Sequence, residues 1–366
     1  MKKKQEVIPA KEEYTMPEQR VKRKRRKSGK ASRVINRIFG FILATVIMAG
    51  IGGLALEWVL VKGPSTAIRD KFCGTMFQTR RFTFIPNIFL TEEEVAEIKG
   101  AQKAVPQTVS DASLVTISAP ENTSGENGPQ PDAYGLIDED GDGIVIVDVK
   151  KKGFVGKMMV IYDPQRVFVG KPDVYGGYGI SLEDMVKKYD AIGGINGGGF
   201  FDSSGGGNGG VPDGLTIIGG EVYNQGYGSD SFAGFDGNGV LHVGYFNLQA
   251  AVDAEIRDGV SFGPCLIING EGQYGSYMES GINPRTAIGQ RADGAVLMLV
   301  IDGRQVHSIG ASWGDARDVM LDFGAVNACN MDGGSSTVMY FNGEYINSCS
   351  SASGYSRGLP NGFLVK

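Results

Sequence analysis

The chain has 366 residues, of which 42% are hydrophobic and 9% aromatic, so it can build a core and general disorder is excluded. Its 2 histidines leave little material for a histidine-rich zinc site. The charge is unevenly divided: residues 1–37 carry 14 Lys and Arg against 4 Glu, whereas the remainder carries 22 basic and 37 acidic residues. A basic arm of this kind is typical of contact with nucleic acid or with a membrane.

The segment after the basic arm favours the membrane. The 19 residues from Ile38 to Leu56 carry no charge, and Trp58–Val61 extends the run past one glutamate. At about 1.5 Å per residue such a helix crosses a bilayer. Because basic residues next to a span stay inside, we predict a cytoplasmic tail at 1–37, a transmembrane anchor at 38–61 and an extracellular remainder, with no nucleic-acid partner. A cleaved signal peptide and a buried soluble helix are the alternatives.

Three segments follow the anchor. Residues 62–104 contain helical patterns, and Thr91 followed by three glutamates predicts a capped helix start. Residues 105–133 are rich in Ser, Thr, Pro and Gly, which predicts a flexible linker. We place one domain at 134–366.

That domain is predicted to be α+β, with a strand-rich mixed sheet core and flanking helices, preceded by the one transmembrane helix. The continuous apolar run 295–301 indicates a strand buried on both faces. Hairpin turns are predicted at 236–239, at Asn269-Gly270 and at Asn342-Gly343. One helix should begin after Ser181, and a second should end at Gly324.

The first candidate site segment is a glycine-rich turn after a strand. Asn196 is followed by Gly197, Gly198 and Gly199, then by Phe200 and Phe201. Glycines allow a ligand or another backbone to come close, so Asn196, Gly197, Gly198 and Phe200 are candidate substrate-binding residues. Residues 203–210 would form a flap over the site, and an ordinary loop is the alternative for the whole segment.

Two further turns carry charges at strand ends. Arg285 follows a proline turn and precedes an apolar strand, and Asp302-Gly303-Arg304 follows the apolar strand 295–301. The planar guanidinium group suits phosphate or carboxylate. We therefore treat Arg285 and Asp302 as candidate catalytic residues and Arg304 as a candidate substrate-binding residue. An ordinary surface ion pair is the alternative for Arg285.

The segment 330–337 has the richest chemistry. Asp332 should emerge at the end of a buried strand, between Asn330 and the turn formed by Gly333, Gly334 and Ser335. Backbone amides of such a turn can form an anion-binding nest. Asp332 is the candidate catalytic carboxylate, and the other four are candidate substrate-binding residues.

These segments resemble the phosphodiester glycosidase family. The resemblance is carried by Asn196–Phe201, Arg285–Ala287, Asp302–Arg304 and Asn330–Thr337, and it covers residues 134–366. Ser335 departs from the pattern, because many relatives have a third glycine there. The resemblance implies hydrolysis of a sugar-1-phosphodiester, and for a membrane-anchored bacterial member it implies a glycan of the envelope or of extracellular polysaccharide.

The residue chemistry agrees with that activity. A phosphodiester is already a good leaving group, so the reaction needs charge neutralisation on phosphate and one carboxylate at the sugar carbon. Arg285 and Arg304 suit the first role and Asp332 the second; whether Asp332, Asp302 or Asp213 acts as nucleophile or base is open. A non-catalytic polysaccharide-binding module and a metal-dependent phosphodiesterase are the alternative functions.

No cofactor is required for this chemistry, although calcium is possible. The acidic run Asp138–Gly143 matches the first half of a calcium loop, but Val149 replaces the glutamate that an EF-hand needs at its twelfth position. Among the cysteines, Cys329 and Cys349 could form a disulfide, and reduced, buried thiols are the alternative.

Overall fold

The computed structural model of the protein describes residues 30–79, 82–101, 108–117, 129–201, 207–275, 277–279, 281–351 and 353–366. Most of the predicted basic tail, parts of the predicted linker and half of the predicted flap lie outside these residues. The chain divides into a unit ending at Leu56 and a unit running from Glu57 to Lys366.

The described residues form six α-helices. In chain order they are α1 Lys30–Lys62, α2 Thr66–Gln78, α3 Glu92–Ala101, α4 Leu182–Lys188, α5 Leu248–Asp253 and α6 Trp313–Asp322.

Seventeen strands occur in the described part of the chain. They are β1 Ile144–Lys151, β2 Phe154–Ile161, β3 Val167–Gly170, β4 Gly193–Asn196, β5 Leu215–Ile218, β6 Glu221–Gln225, β7 Asp230–Asp236, β8 Leu241–Phe246, β9 Ile256–Ser261, β10 Cys265–Ile268, β11 Glu271–Gly272, β12 Arg285–Arg291, β13 Val296–Ile301, β14 Ala325–Met331, β15 Met339–Phe341, β16 Glu344–Tyr345 and β17 Gly362–Val365.

Helix α1 contains the predicted anchor. Its stretch Arg33–Lys62 is apolar and 30 residues long, and its most apolar 18-residue window contains no buried residue. A helix of that length measures about 45 Å, which exceeds the thickness of a hydrocarbon core. Length and composition therefore allow it to cross a membrane, and a signal sequence would meet the same two criteria.

Three antiparallel sheets build the domain. A seven-stranded sheet has the order β1-β2-β13-β12-β14-β10-β11, and two five-stranded sheets have the orders β16-β15-β4-β17-β3 and β6-β5-β9-β7-β8. One apolar cluster joins the large sheet to both smaller sheets, through side chains such as Met298, Phe363 and Phe235. A second cluster covers the opposite face of the large sheet with helix α6, through side chains such as Leu297, Val319 and Met320.

This layering explains the apolar run at 295–301. Strand β13 lies inside the large sheet between β2 and β12, and every residue from Val296 to Ile301 is buried. The prediction of a strand buried on both faces is confirmed, as is the prediction of a strand-rich α+β fold. The three predicted hairpins are also present, as β7–β8, β10–β11 and β15–β16.

The helix-start signals in the sequence are also confirmed. The Ser181 side chain accepts a hydrogen bond from the amide of Asp184 at the start of α4. Thr91 and Glu94 form a reciprocal capping box before α3. Helix α6 ends before Gly324, whose φ of 82° is the left-handed conformation expected at such a stop.

Part of the predicted linker is attached to the domain. The Ser110 amide donates to the carbonyl of Val243 at 2.8 Å, and the amide of Val243 donates to the Ser110 hydroxyl at 2.8 Å. The Thr116 amide donates to the carbonyl of Ala292. The described residues 108–117 are therefore held along the domain surface, where composition alone predicted a free linker.

The cysteines are all free thiols. Cys329 lies opposite Cys265 across the β10–β14 pair, and both are buried. The Cys349 thiol instead contacts the carbonyl of Ser335 at 3.4 Å. The suggested Cys329–Cys349 disulfide is therefore wrong, because the sheet register places Cys329 beside a different cysteine.

Candidate active site

The sheet register brings the predicted site segments to one edge. Arg285 pairs with Ile301 across β12 and β13, and Thr286 pairs with Met331 across β12 and β14. Arg285, Asp302 and Asp332 therefore follow or begin adjacent strands at the same end of the large sheet. Antiparallel neighbours place the start of one strand beside the ends of its two partners, and this pairing assembles the site.

Asn196 links the smaller sheet to this edge. Its Nδ2 donates to the Asp332 carbonyl at 2.7 Å, and its Oδ1 accepts from the Thr286 hydroxyl at 2.8 Å and from the Val338 amide at 3.2 Å. The side chain is fully buried. The amide group of Asn196 is thus used within the protein, and it fixes the backbone of Asp332.

The backbone of Asp332 is fixed by hydrogen bonds at both its amide and its carbonyl. Its amide donates to the carbonyl of Gly197 at 3.0 Å, while its carbonyl accepts from Asn196. The next turn is tied to Pro284, whose carbonyl accepts from the Gly334 amide at 3.1 Å. A side chain at Gly333 would lie 2.7 Å from that same carbonyl, so only glycine fits. The half-buried Asp332 carboxylate therefore projects from a rigid turn.

The predicted anion-binding nest is wrong for most of this turn. The amides of Asp332, Gly334, Ser336 and Thr337 each donate to a backbone carbonyl. Four donors that are already used inside the protein cannot also bind phosphate. Charge for an anion has to come from side chains instead.

The glycine-rich turn after β4 is closed by Asn361. The Gly198 amide donates to Asn361 Oδ1 at 2.7 Å, and a side chain on Gly197 would lie 2.3 Å from the same oxygen. Phe200 is buried, and the Arg357 guanidinium lies 4.5 Å from the centre of its ring. Gly197, Gly198 and Phe200 thus shape the turn and support Arg357 rather than facing open solvent.

Arg285 is buried and its donors are used. Its Nε donates to the Ala311 carbonyl at 2.9 Å, its Nη2 donates to Gln78 Oε1 at 2.9 Å and to the Gly281 carbonyl, and its guanidinium lies 4.8 Å from the Trp313 ring centre. No carboxylate of a described residue lies within ion-pair distance. Burial, with the nearby charge of Arg304, lowers the pKa of Arg285 to about 9. The alternative of a surface ion pair is wrong, because the residue is 4% exposed.

Arg304 is the more accessible cation. It is exposed, with Nη2 donating to Asn283 Oδ1 at 2.8 Å and to the Thr79 hydroxyl at 3.0 Å. Burial of its guanidinium end and the charge of Arg357 lower the pKa of Arg304, and the Asp332 carboxylate opposes both effects. Arg285, Arg304 and Arg357 therefore form a chain of mutually repelling cations beside one carboxylate. Such an arrangement is stabilised by a bound anion.

Arg304 has a left-handed backbone conformation. Its φ is 58°. This conformation costs a residue with a Cβ atom about 1 kcal/mol, and strain of this kind is found preferentially at functional sites.

Asp302 has structural partners. Its Oδ1 accepts from Asn347 Nδ2 at 3.1 Å and from the Ser348 amide at 3.0 Å, and its Oδ2 lies 3.3 Å from His307 Nε2. Asp302 is 6% exposed, and its carboxylate connects the loop after β13 to the loop after β16. Its contacts favour a role in loop anchoring, and its predicted catalytic role stays a prediction.

The remaining predicted residues divide into two kinds. Asn330 Nδ2 donates to the carbonyls of Gly263 and Met331, at 2.8 and 2.9 Å, so Asn330 supports the neighbouring loop. Ser335 and Gly334 are half-buried, and a Cβ on Gly334 would lie 3.4 Å from the Arg304 guanidinium. Gly334 and Ser335 therefore border the arginine side of the site.

Several buried polar atoms at this edge have no hydrogen-bond partner among the described residues. They are Ser336 Oγ, Thr337 Oγ1, Asn330 Oδ1 and Asn361 Nδ2. Native proteins satisfy such atoms with ordered water or a ligand. This end of the sheet is therefore built to hold polar molecules.

The sequence did not reveal four residues of the site. Arg357 lies in a Gly/Ser-rich segment, and its charge is the only signal that it gives in the sequence. Asn361 lies just before the last strand, and its only signal is an amide side chain next to a glycine. Gln78 and Thr79 come from the juxtamembrane helix, more than 200 positions from Arg285 and Arg304. No local pattern could have linked them to the site.

A separate cluster of acids could bind a cation. Ligand oxygens of Asp138, Asp140 and Asp142 lie within 4.8 Å of one another. The Asp138 oxygens accept from the amides of Gly141 and Gly143, at 2.9 and 3.0 Å. The turn thus organises its acids through its own backbone, and calcium binding there stays a prediction.

Asn196 offers a test of this geometry. Replacing it by alanine, Asn196→Ala, should lower the free energy of unfolding by about 2–4 kcal/mol, because three buried groups lose their partner. Thermal unfolding measures this, with Asn87→Ala as an exposed control. An unchanged melting temperature with impaired substrate binding would show instead that Asn196 acts mainly as a substrate contact.

The fold and site define an α+β protein with a carboxylate and several cations at a sheet edge, a site suited to an anionic substrate. Residues 189–366 match the model of the family described as phosphodiester glycosidase. This region, just under half of the chain, is therefore similar to the domain of that family.

Known proteins similar to the chain include a bacterial one and a vertebrate one. The SPbeta prophage-derived uncharacterized protein YomE of Bacillus subtilis is 34% identical over 152 residues, which are 37% of this chain and 23% of that protein. The chain thus spans about a quarter of the length of this relative. The catalytic domain of zebrafish N-acetylglucosamine-1-phosphodiester alpha-N-acetylglucosaminidase, solved in a form auto-inhibited by its pro-peptide, superposes with a TM-score of 0.52. It is 21% identical, and the match covers 61% of this chain and 81% of that chain.

Proposed function

We propose that the protein is an extracytoplasmic hydrolase that cleaves a sugar-1-phosphodiester in envelope or extracellular polysaccharide. The observation that carries the proposal is the position of Asp332, on a rigid turn beside the cations Arg304 and Arg357. The match of residues 189–366 to the phosphodiester glycosidase family supports the same reaction class.

The reaction breaks the bond between the sugar carbon and the bridging oxygen. The phosphate leaves with that oxygen as a monoester, and water supplies the new hydroxyl on the sugar. Asp332 either stabilises the positive charge that develops at the sugar carbon or attacks that carbon as a nucleophile. Arg304 and Arg357 neutralise the phosphate, and the buried Arg285 adds positive potential from behind Arg304.

The proposal is tested with methyl phosphodiesters of hexose 1-phosphates as substrates, by measuring free reducing sugar. We expect sugar release from at least one diester and none from the matching methyl glycosides, which lack phosphate. We also propose that no metal is required, so EDTA should leave turnover unchanged. Absence of sugar release across the hexose series would contradict the proposed function.

A non-catalytic glycan-binding module is the second candidate. Phe201 and Tyr178 are 69% and 80% exposed, and exposed aromatic rings suit stacking against sugars. Such a module would bind a polysaccharide without releasing reducing sugar, and its affinity would not depend on Asp332.

The proposed location gives a separate prediction. From the basic residues before the apolar helix, we propose that the tail lies inside and residues 62–366 outside. Protease added to intact cells should therefore digest the C-terminal domain and leave an N-terminal tag intact. A domain that resists digestion until the cells are lysed would reverse the orientation.

A further inference from the structure

The juxtamembrane helix α2 reaches the candidate active site through its last turn. Gln78 Oε1 accepts from Arg285 Nη2 at 2.9 Å and from Asn283 Nδ2 at 3.0 Å. The hydroxyl of Thr79, the residue after the helix, accepts from Arg304 Nη2 at 3.0 Å. The end of α2 thus contacts two of the three arginines of the site.

Asn283 connects these contacts into one network. Its Nδ2 donates to Gln78, and its Oδ1 accepts from Arg304 at 2.8 Å. Asn283 and Arg285 are 3% and 4% exposed, so the centre of the network is buried. A shift of Gln78 would therefore move Arg285 directly and Arg304 through Asn283.

The attachment of α2 at this point is polar. Helices α2 and α3 have their own apolar cluster, which includes Val61, Cys73, Leu90 and Ile98. Near the site, α2 contacts the domain through hydrogen bonds: besides Gln78 and Thr79, the Thr75 hydroxyl accepts from the Ile282 amide at 2.9 Å. The pairing is therefore specific to these donors and acceptors.

The chemistry of Gln78 indicates more than a structural contact. Its Nε2 is buried and has no hydrogen-bond partner among the described residues, whereas its Oε1 accepts twice. A glutamate at position 78 would place acceptors at the positions of both Oε1 and Nε2. It would also form an ion pair with Arg285, which has no carboxylate partner among the described residues. Glutamine holds the guanidinium without cancelling its charge, and an uncancelled charge is what an anion-binding site needs.

We propose that the juxtamembrane helix is a working part of the active site, in which Gln78 and Thr79 are positioning residues: Thr79 orients Arg304 toward a phosphate group, and Gln78 holds Arg285 in place behind it. This inference rests on the proposed sugar-1-phosphodiesterase activity. It extends the functional unit beyond the family-matched region 189–366 to include residues 66–79.

The decisive variant is Gln78→Glu. It keeps the acceptor for Arg285 and Asn283 and neutralises the cation, so we expect a higher melting temperature together with a loss of kcat/KM of about tenfold to a hundredfold. Gln78→Ala should lose both stability and activity. Lys71→Gln, on the exposed face of the same helix, is the matched control and should behave as the wild type.

The measurements use the full-length protein in detergent micelles. Turnover of a hexose-1-phosphate methyl diester and calorimetric binding of glucose 1-phosphate are compared for each variant. Weaker glucose 1-phosphate binding by Gln78→Glu, despite its higher melting temperature, supports the role of Gln78 as a positioning residue.

Two results would overturn the inference. Equal binding and turnover in Gln78→Glu and wild type would reduce Gln78 to a structural contact. Higher activity in Gln78→Ala would show that α2 blocks the site. A wild-type protein that neither binds nor turns over these compounds contradicts the proposed function itself.

Discussion

Asp332→Asn should reduce turnover of a sugar-1-phosphodiester by about a thousandfold or more while the melting temperature stays close to that of the wild type. The backbone of Asp332 is fixed by Asn196 and Gly197, and these bonds use its amide and carbonyl, which asparagine retains. The substitution therefore removes the charge at the sugar carbon and preserves the turn.

Two other carboxylates serve as comparisons. Asp213 is exposed, and Asp213→Asn should leave turnover near the wild-type value. Asp302→Asn should lower the melting temperature, because Asp302 Oδ1 accepts from both Asn347 and Ser348. If Asp332→Asn kept its activity and Asp302→Asn lost it without unfolding, the catalytic carboxylate would be Asp302.

Arg304→Asn should lose activity and keep stability. Asparagine tolerates the left-handed conformation that Arg304 adopts at φ 58°, and this gain of about 0.5–1 kcal/mol should offset the loss of the hydrogen bonds to Asn283 and Thr79, so the free energy of unfolding should change little. Removal of a cation that contacts the phosphate should lower kcat/KM by about a hundredfold or more.

Melting temperature and kinetics of Arg304→Asn are measured together, with Arg304→Lys as a partner variant. Lysine keeps the charge without the bidentate fork, so its activity should lie between the wild type and the asparagine variant. A loss of stability without a specific loss of activity in Arg304→Asn would assign Arg304 to the fold and leave Arg357 as the principal phosphate contact.

The sequence predicted individual helices, strands and turns better than it predicted which of them pair in the fold. The apolar run 295–301, the capping residues Ser181 and Thr91, and the turn pairs such as Asn342-Gly343 each depend on local chemistry, and each is present in the structure. Cysteine pairing depends on sheet register, which local patterns do not encode, so Cys265 was not recognised as the neighbour of Cys329.

The same distinction applies to the site. Charged residues at strand ends marked Arg285, Asp302 and Asp332, because a strand end is where a side chain can leave the core. Their environments could not be predicted: the buried Arg285 donates to Gln78 from a distant helix, and the amides of Asp332 and Gly334 donate to the carbonyls of Gly197 and Pro284. Long-range packing decided which groups remain available to a substrate.

We expect water to attack at the sugar carbon, and isotope transfer tests this position of attack most directly. Hydrolysis of a hexose-1-phosphate methyl diester in water enriched in oxygen-18 is followed by phosphorus NMR, which resolves phosphate that has gained the heavy isotope. Cleavage between sugar carbon and oxygen predicts a methyl phosphate product without oxygen-18. Oxygen-18 in the phosphate product would mean attack at phosphorus, which would make the protein a phosphodiesterase and contradict the role assigned to Asp332.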